Sequence, residues 1–273
     1  MKRSLPVLPD DFIDSKLPRG TFSHSQYSTW KKCGKAYEFK YVLGVDTPPS
    51  LNMFRGTAVH AGAEASHLHM IEHKTVPGLE EMRSKVSDAF DDGKDQVQNW
   101  EDTSPGALKD DALRLYTKYH QDNLPQLRPV AAEEGFAVKV GAVPVTGYID
   151  LVERRGGFGP SADNDPLTIV DLKTSSAKWS ASEVALDTQL TLYSLVKRTP
   201  LVRIDNLVTL KAGPAFHRFE STRDGVQQRV LQDDLEETAD FIRQGVFPKT
   251  TIDSWACTEK WCGYWSRCRG RKL

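Results

Sequence analysis

Asp150 closes the run Gly-Tyr-Ile-Asp, and Asp171 opens Asp-Leu-Lys with Lys173 two residues further on. Both stand in stretches rich in Val and Ile, VPVTGYIDLVER and LTIVDLKTSS, which read as strands. Side chains alternate along a strand, so Asp171 and Lys173 share a face. If the two strands pair, Asp150 lies beside Asp171, and two carboxylates and an ammonium converge. Carboxylates so close repel unless a cation lies between them. Their oxygens are hard ligands that suit Mg²⁺ or Mn²⁺. A divalent ion there would activate water and stabilise charge on a phosphoryl oxygen. Lys173 would orient that water or hold a non-bridging oxygen. Asp-x-Lys alone is common, and solvated carboxylates at strand ends are the bland alternative. What lifts this instance is its place after Thr-Ile-Val, opposite Gly-Tyr-Ile-Asp.

The second group that could do chemistry is sulfur. Cys33 stands alone, while Cys257, Cys262 and Cys268 crowd into the C-terminal tail as C-x4-C-x5-C among Trp255, Trp261, Tyr264 and Trp265. Four thiolates suit tetrahedral Zn²⁺ or an iron–sulfur cluster. Zinc fingers bring their ligands as two close pairs, and this three-plus-one spacing would instead clamp the two chain ends around one centre. A free Cys33 beside a reactive tail is the alternative.

The elements that must position these groups follow from periodicity. Residues 1–20 are Pro-rich and polar and read as a flexible arm. Ser23 or Ser25 is an N-cap for a helix carrying Tyr27, Trp30, Cys33, Tyr37 and Tyr41 at helical spacing, which puts Cys33 on the buried stripe. A helix over about 53–73 places His60, Glu64 and His67 on one face. That triplet lacks the H-E-x-x-H order of metalloproteases. A weak helical pattern lies within 74–106, and Leu108 to Tyr119 mark another helix, stopped at Asn123 and Pro125. From 129 the texture becomes β: three strands, with GGFGPSADNDP as a long hairpin loop, then a helix over about 181–198, two more strands, and a long helix over about 224–244. Glu133 and Glu134 start the first strand, and either could face the acidic pair or solvent. Lys31, Lys32, Lys35 and Lys40, with Arg267, Arg269 and Lys272, could track phosphates, although a charge run is usually a solvated face.

The ordered set GYID, IVDLKT, and Gln189 with Tyr193 in DTQLTLYSL resembles the PD-(D/E)XK nucleases of the RecB-like exonuclease branch. RGTAVHAGAE resembles that branch's first motif, and SHSQYSTWKKCGKAYEFKYVLGV its cysteine-bearing N-terminal helix. CTEKWCGYWSRC resembles the tail that completes a [4Fe–4S] cluster in CRISPR-associated RecB-like, AddB-type and phage-encoded members. The resemblance runs from about 22 to 268. It implies an α+β, restriction-endonuclease-like mixed central sheet flanked by helices, with a cluster-binding subdomain made by the helical N-terminal part and the Cys-rich tail. The expected layout is one nuclease domain over 21–273: helical part 21–125, core 129–245, tail 246–273.

The same resemblance assigns His60, Asp150, Asp171 and the Leu172 carbonyl to Mg²⁺ or Mn²⁺. Lys173 becomes the catalytic lysine, with Gln189 and Tyr193 reaching the site or the DNA backbone from one helix face. Cys33, Cys257, Cys262 and Cys268 become the cluster ligands. The C-x4-C gap departs from the C-x2-C of many members, which keeps Zn²⁺, or no metal, in play. The implied activity is metal-dependent DNA hydrolysis, as an exonuclease in repair, recombination or phage DNA processing. A non-catalytic DNA-binding or assembly subunit is the alternative, and the presence of all four motif residues weighs against it. No G-x4-G-K-[ST] occurs, so unwinding would need a helicase or recombinase on another chain.

Composition narrows the field further. The chain has 273 residues, 39% hydrophobic and 27% charged, which is ordinary for a globular protein and excludes a disordered or collagen-like one. The 36 Lys+Arg and 37 Asp+Glu leave a net charge of −1, which excludes a uniformly basic protein but not a basic patch. No apolar run is long enough to span a membrane, and the start has no apolar signal core. With the thiols expected reduced, a cytoplasmic location is the expectation.

Overall fold

The computed structural model describes residues 5–100, 103–154 and 165–270. Most of the GGFGPSADNDP connection, together with Arg271 and Lys272, lies outside the described residues. The described chain forms helices α1 (His24–Lys32), α2 (Gly34–Tyr37), α3 (Leu51–His73), α4 (Leu79–Gly93) and α5 (Pro105–Asp122). Strands β1 (Pro129–Val140), β2 (Val143–Arg154) and β3 (Leu167–Ser175) follow, then α6 (Ala181–Leu186), α7 (Thr188–Lys197), β4 (Leu201–Leu210), β5 (Gly213–Thr222), α8 (Gly225–Arg243) and α9 (Trp265–Cys268). The architecture is α+β: one five-stranded mixed sheet in the order β1-β2-β3-β4-β5, with flanking helices. Strands β2 and β3 are antiparallel, β3 and β4 parallel, β4 and β5 antiparallel. The parallel step is possible because α6 and α7 intervene as a crossover. Among the described residues, no helix is long and apolar enough to cross a membrane.

The chain divides into two compact units, each assembled from separated segments. The first comprises residues 1–48, 135–147 and 225–273. The second comprises 49–134 and 148–224. The expected helical part over 21–125 is therefore divided: α1 and α2 fall in the first unit, and α3 to α5 fall in the second with most of the sheet.

In the second unit, α3, α4 and α5 cover one face of the sheet. Val59, Ala63, Val86, Phe90, Leu115, Tyr116 and Tyr119 pack in one core with Leu151, Val170, Leu172 and Leu207. Each of these helices starts where its sequence allows. Ser50 accepts from Met53 N for α3, and Ser104 from Ala107 N for α5, with Pro105 at the first turn. The expected single helix over 181–198 is in fact two. Asp187 breaks it with extended dihedrals, and its carboxylate caps α7 by accepting from Leu190 N. Arg223, 3% exposed, stabilises the break by donating to Val184 O, Asp187 O and Thr191 Oγ1.

In the first unit, α1 and α8 pack against the β1–β2 hairpin tip and the tail. Phe22 bridges Val145 through Phe22 N to Pro144 O and Thr146 N to Phe22 O, both 2.8 Å. Trp30 stacks on Phe241, Tyr37 on Phe247, and Phe39 on Tyr264. Gly141 turns the hairpin at φ +57°, where a side chain would strike Glu236, whose carboxylate accepts from Ala142 N. The segment expected to be a flexible arm is tied from Asp14 onward: Asp14 pairs with Arg243, and Leu17 is buried. The first predicted helix is interrupted at Cys33, which is extended (φ −167°, ψ 109°), and it resumes as α2 and a π-helical turn over Glu38–Val42. The cause is contact: Gly34 packs so close to Pro248 and the Phe247 carbonyl carbon that a Cβ there would lie 2.6 Å from Pro248 Cδ. Cys33 is consequently half-buried at a helix break instead of on a continuous buried stripe.

Candidate metal and phosphodiester site

Strand β3 sorts its side chains by alternation. Val170 and Leu172 enter the core beneath α3 to α5, so Asp171 and Lys173 turn to the other face. The β2–β3 register runs to Leu151↔Val170, which sets Asp150 and Asp171 as the next facing pair. Asp150 Oδ2 accepts from Leu172 N at 3.1 Å, a contact of the amide and not of the carbonyl expected to ligate a metal. Lys173 Nζ lies 2.6 Å from Asp171 Oδ2 and donates to Gln189 Oε1 at 2.9 Å. Gln189 in turn donates to Tyr193 OH at 2.8 Å, as expected for residues one turn apart on α7. The Asp187 cap and Arg223 thus aim a Gln–Tyr pair at the lysine.

Helix α3 brings His60 to the same place. Its Nδ1 is 3.6 Å from Asp150 Oδ2. The approach of α3 to β3 is close at Gly56, where a Cβ would stand 2.7 Å from Thr174 Oγ1. Glu133 completes the group: one ligand atom each from His60, Glu133 and Asp150 lie within 4.8 Å of one another. Glu133 sits at φ +46°, in the left-handed region, inside β1. A non-glycine residue there costs about 1–3 kcal/mol. Its neighbour Glu134 ion-pairs with Lys197 at 2.8 Å. The adjacent glutamates are therefore divided between the acidic site and an ion pair. His67, on the His60 face in sequence, turns inward to Tyr119 OH at 2.7 Å and is 2% exposed. Burial holds it down to about 3, so it is a neutral core histidine and not a partner of His60.

The electrostatics are those of an acidic site short of positive charge. Burial pushes Asp171 up to about 7, opposed by Lys173 and reinforced by Asp150. Asp171 Oδ2 is also buried without a hydrogen bond of normal geometry, although Lys173 is beside it as an ion-pair partner. Lys173 is held in its charged form: burial disfavours the ammonium, but Asp171 and then Asp150 outweigh it. Tyr193 is raised by burial and by Asp171, Asp150 and Glu133, so its phenol stays protonated. An imidazole nitrogen and converging carboxylates fit a hard divalent ion.

The four cysteines gather in the first unit. All are free thiols. Burial raises Cys262, and negative charge on Cys33, Cys257 and Cys268 pushes in the same direction, which places all four within electrostatic reach. Short backbone bonds shape the tail around them: Cys257 N to Ser254 O, Cys262 N to Thr258 O and Cys268 N to Tyr264 O, all 2.8–2.9 Å. Among the described residues, no three cysteine sulfurs lie within 4.8 Å of one another.

Comparison with known proteins gives the family and the fold. Residues 21–269 match the profile of the PD-(D/E)XK nuclease superfamily. No curated protein matches the chain. The crystal structure of a "putative exonuclease" from Eubacterium rectale is similar in fold, with a TM-score of 0.59 at 11% identity, covering 99% of this chain and 95% of that one. The structure designated SSO0001 aligns at a TM-score of 0.38 and 14% identity, over 90% of this chain and 96% of its own. With the profile spanning nearly the whole sequence, the chain belongs to the PD-(D/E)XK nuclease superfamily.

Proposed function

We propose that this protein is a divalent-metal-dependent deoxyribonuclease that works from DNA ends or on single strands. The observation that carries the reading is the meeting of His60, Glu133 and Asp150 beside the Asp171–Lys173 pair. His60, Glu133, Asp150 and Asp171 would hold Mg²⁺ or Mn²⁺. When bound, the ion supplies water activation and charge stabilisation at the phosphoryl group. Lys173, whose ammonium form is favoured by Asp171 and Asp150, steadies a non-bridging oxygen as negative charge grows there. Gln189 holds that ammonium in place from α7, and Tyr193 holds Gln189. Hydrolysis adds the water oxygen to phosphorus and breaks one P–O bond, the proton going to the leaving oxygen.

The test uses end-labelled single- and double-stranded DNA with Mg²⁺ or Mn²⁺, so that polarity is read out as well. Wild type should cleave, while Asp150→Ala and Lys173→Ala should fall by about 10²-fold or more, as is usual when an electrostatic stabiliser is removed. Equal activity in all three, or DNA binding with no cleavage by wild type, would overturn the reading.

The cysteine centre is proposed to be a [4Fe–4S] cluster with a structural role. Supporting this, a single Zn²⁺ with Zn–S of about 2.3 Å draws its four sulfurs close together. Four thiols that influence one another's charge without forming a tight tetrahedral set are what a larger inorganic core would use. Anaerobically purified protein should be brown, with broad absorbance near about 400 nm. A colourless protein with one equivalent of zinc would sink the assignment.

A further inference from the structure

Two tryptophans on the Cys-rich tail lie open to solvent and have no part in the acidic site. Trp255 is 67% exposed and Trp261 60%. Their neighbours Ala256, Cys257 and Tyr264 are buried, so the tail has an interior that these two rings do not enter. Each tryptophan adjoins a cysteine: Trp255 stands two residues before Cys257, and Trp261 directly before Cys262. The turns that bring the thiols together thereby place the indoles outside. The rings are 6.5 Å apart at 80° to one another. Lys32 Nζ sits 4.5 Å from the Trp255 ring centre, and Lys260 Nζ 5.2 Å from that of Trp261.

The lysines of this region are not equivalent. Lys31 pairs with Asp234 and Lys35 with Glu38, while among the described residues Lys32 and Lys260 have no carboxylate partner. In the tail, Lys249, Lys260, Arg267 and Arg269 outnumber Asp253 and Glu259.

We propose that Trp255 and Trp261, with Lys32 and Lys260, form a stacking platform for a single DNA strand, positioned by the cysteine centre. The proposal rests on the nuclease reading and adds a substrate-binding surface to it. Each indole carries an ammonium over its ring and still leaves most of its surface open, and a single strand can use both: an indole surface for a base and a cation for a phosphate. The angle between the rings selects the strand form. Bases stacked on two nearly perpendicular indoles are themselves nearly perpendicular. A free single strand can turn them so, whereas a duplex keeps successive bases parallel.

The experiment is an anisotropy titration of labelled oligothymidine with intact protein, in EDTA to silence cleavage. Tryptophan emission is followed in parallel. Trp255→Ala and Trp261→Ala should each weaken binding by about tenfold or more, with Trp255→Phe and Trp261→Phe recovering most of it. Hydrolysis of a small chromogenic phosphodiester, which has no nucleobases to stack, should stay at the wild-type rate. Visible absorbance and circular dichroism report whether the tail is intact. Should the alanine variants lose the centre, Lys32→Ala and Lys260→Ala provide the reading, through a shallower dependence of affinity on salt. Wild-type affinity in the double alanine variant would overturn the proposal. So would self-association that the tryptophan changes abolish while oligothymidine binding persists, which would assign the surface to a second copy. If wild type hydrolyses no DNA at all, the nuclease reading fails, and the titration still decides the platform.

Discussion

Glu133 and Glu134 are identical in type and adjacent in β1, yet Glu133 alone of the two joins the acidic group. Alternation says that they face opposite ways, but it cannot say which faces Asp150. The left-handed backbone at Glu133 is a local bulge that no propensity announces. Glu133→Gln should weaken Mn²⁺ binding by about tenfold and Glu134→Gln should leave it unchanged, the latter losing only an ion pair worth about 0–1 kcal/mol. Calorimetric Mn²⁺ titration of both variants checks this, and equal effects would remove Glu133 from the site. His67 makes a second prediction at this scale. Its folded value lies near 3 because burial disfavours the imidazolium, against about 6.5 when unfolded. Below about 6.5 the unfolded chain takes up a proton that the folded one refuses, so stability falls as pH drops toward 3. From pH 7 to pH 5 this residue alone should cost about 2 kcal/mol. Urea unfolding of wild type and His67→Gln at both pH values tests it: the variant should lose less, and parallel losses would refute the assignment. The meeting of Asp150, Asp171 and Lys173 was legible from strand order and spacing, and the approach of His60 only from the family resemblance. His67 was ambiguous because His60 and His67 share a helix face, and only the third dimension shows which one meets Tyr119.

The elements show which local signals govern their own boundaries. The Ser23 cap, Val- and Ile-rich strands and the Asn123–Pro125 stop read directly as structure, because each acts over a few residues. The breaks at Cys33 and Asp187 are different, since partners distant in sequence hold them. Gly34 yields to Pro248, and Arg223 satisfies the carbonyls left open between α6 and α7. Arg223→Met should therefore unfix α7. Each buried carbonyl left without a donor costs about 1–3 kcal/mol, so a loss of about 3 kcal/mol is expected, with DNA cleavage falling as Gln189 and Tyr193 drift from Lys173. Chemical denaturation and a cleavage assay measure the two effects, and a stable, fully active variant would show that Asp187 holds the break alone. The packing of α3 makes a further prediction. A Cβ at Gly62 would lie 2.4 Å from Val86 Cγ2 and 2.9 Å from Tyr116 Cδ2, both wholly buried. Alanine gains about 1 kcal/mol of helix propensity there, but overpacking costs about 1–3. With no exposed side chain able to swing clear, the clash wins, and Gly62→Ala should lower the melting temperature.

At the scale of the molecule, the near-neutral charge is a sum over unlike regions: an acidic site in one unit and exposed lysines on α1 and the tail in the other. The two-unit division was only partly legible. The cysteine spacing pointed to a joining of the chain ends, but nothing local signals that residues 135–147 belong with them, because that membership rests on contacts made far along the chain. The same topology would set the role of the proposed cysteine centre. Linking Cys33 to the tail closes a loop of more than two hundred residues, and the loop-closure entropy removed from the unfolded chain grows only with the logarithm of that length. A Cys₄ centre thus stabilises mainly by being present in the folded state and absent from the unfolded one. Cys33→Ser should consequently act on the first unit before the second. Hydrogen exchange should accelerate strongly across His24–Val42 and Gly225–Arg243. The amides of β3 and β4, buried beneath α3 to α5, should keep most of their protection. The distinction is measurable because local opening spans a range of free energies below the global one. Uniform acceleration through both units would mean that they unfold as one, and that the centre is a staple for the whole molecule and not for its own unit.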